Sequence, residues 1–86
     1  MIRLPLAEGT TRDAVDDLAF AVGLRLVNIV PRTEAFPAQL VYVTPDGAVG
    51  AHLVDHEGAL TWILRGEEAA EQRWAEAIRA AAEGAS

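Results

Sequence analysis

The sequence predicts a two-layer α+β fold, in which an antiparallel β-meander carries two α-helices. Three observations point there. Apolar residues recur at helical spacing in two segments, one near each end of the chain. Between them lie four runs rich in branched and aromatic residues, at 24–30, 39–44, 48–55 and 59–65. The last three runs are separated only by Pro45-Asp46-Gly47 and His56-Glu57-Gly58, and turns that short join antiparallel neighbours. Four strands are expected, five if residues 1–6 join the sheet, in the order (β)-α-β-β-β-β-α.

Each element has its own signal. In residues 1–6, Ile2, Leu4 and Leu6 share one side, while Pro5 lacks an amide hydrogen and confines the segment to a sheet edge. Thr10 or Thr11 can cap the first helix, with Asp13 in a capping-box-like position relative to Thr10. Val15, Leu18, Ala19 and Val22 form its apolar stripe. Asp13, Asp16 and Asp17 crowd its first half, where the helix dipole favours negative charge. Gly23 suits the left-handed position that ends a helix.

Residues 24–30 read as a strand closed by Pro31. Residues 31–37, PRTEAFP, form a loop between two prolines. After the three meander strands a second helix runs from Gly66 to about residue 83, with Ala70, Trp74, Ala77, Ile78 and Ala81 on one face. Residues 84–86 are expected to fray. At 86 residues the chain is read as one domain, 1–86.

The turns also predict a register. Two-residue loops at Asp46-Gly47 and Glu57-Gly58 set Tyr42 opposite Ala51, Leu40 opposite Leu53 and Val41 opposite His52. They also set Leu53 opposite Trp62 and His52 opposite Ile63. One sheet face then carries Leu40, Tyr42, Leu53, Trp62 and Leu64, the bulkier set, and is expected to lie under the helices. The other carries Val41, Val43, His52, Val54, Thr61 and Ile63. An antiparallel sheet with one face in water normally alternates apolar with polar along each strand, so that its outer face is polar. This one stays largely apolar, the pattern of a contact surface.

Composition narrows the function classes. The net charge is −6, and the seven cations are all arginines, none closer than six residues to the next. Nucleic-acid binding needs clustered cations to displace phosphate counterions, so no nucleic-acid partner is expected. The absence of cysteine removes disulfides, thiolate nucleophiles and thiolate zinc sites. No apolar run is long enough for a membrane helix, and the start lacks a signal-peptide pattern. A cytoplasmic protein without membrane attachment is expected.

No catalytic motif stands out. There is no phosphate loop and no Gly-x-Ser-x-Gly. His52 and His56 have the spacing of a metal-binding helix, but on a strand they fall about 13 Å apart and cannot share an ion. No metal, cofactor or catalytic residue is assigned. The sequence reads as a small non-enzymatic interaction module of the adaptor, regulator, chaperone-like or inhibitor kind. It would work through the second sheet face and self-associate or hold a protein partner. Arg32 and Phe36, residue types favoured at interfaces, extend the candidate surface into the 31–37 loop. The alternative is a small-molecule sensory domain whose shallow pocket is lined by Trp62, Tyr42 or His52.

Overall fold

A computed structural model describes residues 1–84. The elements are β1 (Ile2–Pro5), α1 (Arg12–Val22), β2 (Arg25–Val30), β3 (Ala38–Val43), β4 (Val49–His56), β5 (Ala59–Gly66) and α2 (Glu68–Gly84). The five strands form one antiparallel sheet in the order β1-β5-β4-β3-β2. This is the expected α+β architecture, with residues 1–6 supplying the fifth strand. The thinnest dimension is 19 Å, which one sheet and one layer of helices fill.

The register follows the turns. Tyr42 pairs with Ala51, Val41 with His52, Leu53 with Trp62 and His52 with Ile63. At the β4–β5 turn both central residues have positive φ, Glu57 at 55° and Gly58 at 89°. That is the twist a two-residue hairpin requires. Asp55 Oδ1 accepts the Gly58 N–H at 2.9 Å and closes the turn.

The β3–β4 connection is longer than two residues, yet keeps the same register. Thr44 and Val49 close it: the Thr44 N–H donates to the Val49 carbonyl, and the Val49 N–H donates to Thr44 Oγ1 at 3.1 Å. Asp46 accepts from the Thr44 hydroxyl and the Ala48 N–H, so this acid acts as internal turn scaffolding.

Both helices cover the face that carries Leu4, Leu40, Tyr42, Val49, Ala51, Leu53, Leu60, Trp62 and Leu64, all buried. Thr11 is the N-cap of α1, its hydroxyl accepting from the Ala14 N–H at 3.1 Å. Asp13 is therefore not the reciprocal partner of a capping box counted from Thr10. Gly23 ends the helix at φ 86°, donating to the carbonyls of Ala19 and Phe20. Val15 and Ala19 are buried beneath α1, and Leu18 and Val22 half-buried, as the stripe requires. The Tyr42 ring meets the Trp62 ring edge-on at 5.4 Å, placing two aromatics at the centre of the core.

Strand ends shift by a residue from the sequence reading, and the shifts around α2 have physical causes. Gly66 belongs to β5, paired with Val49, and α2 begins at Glu68. A side chain at Gly66 would collide with the Ala48 carbonyl, which explains a glycine at a strand end. Gly84, expected to fray, is the last helical residue; Ala85 and Ser86 lie outside the described residues. The face of α2 is also rotated toward Glu71, Ala75 and Ile78, which are its buried residues, while Trp74 is half-buried.

The burial of Glu71 has a specific cause. Its Oε1 pairs with the N-terminal ammonium of Met1 at 2.7 Å, and its Oε2 accepts the Gly66 N–H at 2.8 Å. One carboxylate thus ties β1, the end of β5 and the start of α2. The N-terminal ammonium, and next the Gly66 amide, hold its pKa below the ordinary Glu value.

Candidate interaction surface

Alternation along the strands assigns every residue of the other face, and the register arranges them in rows. The row nearest the β3–β4 turn runs Arg65, Gly50, Val43, Arg25 from β5 to β2. The middle row runs Arg3, Ile63, His52, Val41, Asn28 from β1 to β2. The third runs Pro5, Thr61, Val54, Gln39, Val30. No helix lies over these residues. All six expected face residues, Val41, Val43, His52, Val54, Thr61 and Ile63, are brought together here, each half-buried by its neighbours.

The centre of this face is apolar, with Val41, Val43, Val54 and Ile63 around His52. Nδ1 of His52 lies 3.3 Å from Gln39 Oε1, one strand away. Burial, and then the positive charge of Arg65, lower the His52 pKa from its ordinary 6.5. Both effects favour the uncharged imidazole in the middle of the face.

The rim is cationic. Arg3, Arg25 and Arg65 are exposed, and none pairs with a carboxylate among the described residues. No strand position on this face is occupied by Asp or Glu. Sequence spacing concealed this arrangement: the three arginines are far apart in the chain and are gathered only by the register. Extending the alternation of 59–65 would have placed Arg65 on the face; Arg3 and Arg25 required knowing which strands flank the meander.

Arg32 and Phe36 lie beyond the end of β2. The Phe36 N–H donates to Thr33 Oγ1 at 3.0 Å, and the Thr33 N–H donates back to the Phe36 carbonyl, so the loop is internally braced. Phe36 is exposed and does not tuck under the loop. The loop shares a polar cleft with Asp55, His56 and Glu57 at the end of the sheet opposite the arginine row.

The three residues named for a small-molecule pocket do not line one cavity. Tyr42 is buried on the helix side, His52 belongs to the uncovered face, and Trp62 lies at the back of a separate apolar cleft. That cleft, about 350 Å³, opens between α1, α2 and β1 beside Leu4, Leu6, Leu18 and Ile78. The buried Trp62 indole N–H has no hydrogen-bond acceptor among the described residues.

Compared with protein-family models, curated proteins and solved structures, the chain matches none.

A second exposed apolar patch was not anticipated. Phe20 is 88% exposed on α1, and Leu26 and Ile29 of the edge strand β2 are exposed on the same side of the sheet. Phe20 falls off the Val15–Ala19 stripe, and that offset is the signal the sequence offered. A bulge between Leu26 and Asn28 breaks the pairing of β2 with β3 and kinks this edge, a device that discourages indiscriminate strand addition. No helix among the described residues is long and apolar enough to cross a membrane.

Proposed function

We propose that this chain is a non-enzymatic, cytoplasmic protein-docking module whose working surface is the uncovered sheet face. The observation that carries the reading is the apolar centre of Val41, Val43, Val54 and Ile63, which no helix among the described residues covers. Burying such a patch removes apolar surface from water at about 25 cal/mol per Å², without any change in the core beneath it. Adaptor, regulator, chaperone-like and inhibitor roles all work this way, against a second copy or another protein. Arg32 and Phe36 would extend the contact beyond the end of the sheet.

The test compares wild-type chain with Ile63→Asp as bait in extracts of the native cell, with sedimentation of each alone. A protein held by the wild type and released by a folded Ile63→Asp variant supports the reading. A homodimer lost on the same substitution supports its self-associating form, and a monomer at high micromolar concentration rules that form out. Equal capture by both baits, with no dimer, rules out the docking surface.

The apolar cleft beside Trp62 supports a second reading, a binding site for a small apolar molecule. Clefts of this size and lining hold such ligands. Native mass spectrometry of the purified chain tests it; a chain that retains no adduct, and whose tryptophan fluorescence ignores added fatty acids and aromatics, rules it out.

A further inference from the structure

Resting on the docking reading, we infer that the uncovered face takes an acidic protein segment, with an apolar stripe flanked by carboxylates, in preference to a second copy of this chain. The argument is one of charge placement. The molecule carries 13 acidic residues against seven arginines. The acids sit on α1, on α2, in the loops and at Asp55, whose side chain is on the helix side. The uncovered face has three arginines and no acid, so an acidic protein presents one positive face.

The arginines are also placed to act together. Arg3 pairs with Ile63, and Arg65 is two residues further along β5. Diagonal neighbours of this kind lie about 7–8 Å apart, within one screening length at physiological salt. Arg25 stands three strands from Arg65 in the same row, about 14 Å away, and marks the opposite rim. Between them Gly50 carries no side chain, and the His52 ring stands 3.7 Å from where one would begin. A partner backbone or a short carboxylate can approach closely there, as glycine in a strand interior allows.

Self-docking is the weaker fit. A second copy offers the same acid-free face, so a face-to-face pair buries or crowds six arginines with no carboxylate from either sheet. Unpaired charges in an interface are costly, and like charges reject a partner. Nucleic acid is also a poor fit. The face has no Phe, Tyr or Trp on which bases could stack, and the rest of the molecule is negative.

The face is about 19 Å wide across five strands, the length of a helix of about 13 residues. The probes are therefore two peptides of about 14 residues sharing one leucine stripe, flanked by Glu in one and by Lys in the other. Each is titrated into the isotope-labelled chain and followed by NMR. The Glu peptide should shift the amides around Gly50, His52 and Ile63. It should bind roughly tenfold more tightly than the Lys peptide, since exposed ion pairs contribute a few-fold each. Arg3→Glu with Arg65→Glu should reverse that preference; Arg79→Glu on α2 should not.

Stronger binding of the Lys peptide at the face sinks the acidic partner and leaves the docking reading standing. Saturable binding of a thymidine oligonucleotide at the same amides also overturns the inference. No shift with either peptide overturns it too, and the docking reading then rests on the Ile63→Asp comparison alone.

Discussion

Ile63 and Leu64 are neighbours on β5 that face opposite sides of the sheet, and exchanging each tests which side is the core. Leu64 is fully buried under the helices. Truncation to alanine removes methyl groups from a packed core, at a cost of about 2–5 kcal/mol. A chain of this length has about 4–13 kcal/mol of stability in total. At about 4–8 °C per kcal/mol for a domain this small, Leu64→Ala should lower the melting temperature by about 8–40 °C. Ile63 is half-exposed on the uncovered face. Ile63→Asp forfeits strand preference and some neighbour contact, about 1 kcal/mol, so melting should fall by no more than about 8 °C. Thermal and urea unfolding, followed by circular dichroism on monomeric samples, measure both. If Ile63→Asp unfolds the chain while Leu64→Ala is mild, the faces are reversed and the docking surface is really the core.

Two glycines should part in the same way: Gly66→Ala drives a methyl into the Ala48 carbonyl and should cost about 1–3 kcal/mol, whereas Gly50→Ala meets only His52 at ordinary distance and should cost less than about 1 kcal/mol in urea melts. The folded-state pKa of Glu71 lies below the ordinary 4.5, so its contribution is complete above that value and is lost as pH falls through the depressed one. Acid titration of stability should therefore flatten at its low-pH end in Glu71→Gln; an unchanged acid limb would refute the role of the carboxylate. His52 is the case of a depressed imidazole: its contribution is complete above pH 6.5 and declines as pH falls through the lower folded value. NMR titration should find its midpoint below 6.5, and Arg65→Gln should raise it; no movement would show that Arg65 exerts no field there.

The meander was legible because its turn residues state their geometry. Glu57-Gly58, and the longer Thr44–Val49 closure around Asp46-Gly47, fix the register, and register decides that Trp62 is interior and Ile63 is not. The six face residues followed directly. What escaped depended on parts of the chain distant in sequence. Residues 25–30 have the composition of a buried strand, yet burial is decided by what lies alongside, and β2 is an edge. Glu71 reads as a helix-start acid until the N-terminus is known to reach it. The arginines look scattered until β1 and β2 are placed at opposite edges, when scattering in sequence becomes a rim in space.

The position of β1 divides the sheet into parts of unequal autonomy. Each of the other strands pairs with its successor in the chain, but β1 pairs with β5 across more than half of it. Closing a loop of about 55 residues costs about 3 kcal/mol more than closing a two-residue turn, by the logarithmic growth of loop entropy. The meander can thus assemble from local contacts, whereas β1 joins it only by a long closure. When it leaves, Glu71 loses its ammonium, β5 acquires a free edge, and the cleft beside Trp62 loses the wall formed by Leu4 and Leu6. One four-residue strand thereby joins the N-terminal ion pair, the edge of β5 and the wall of the cleft.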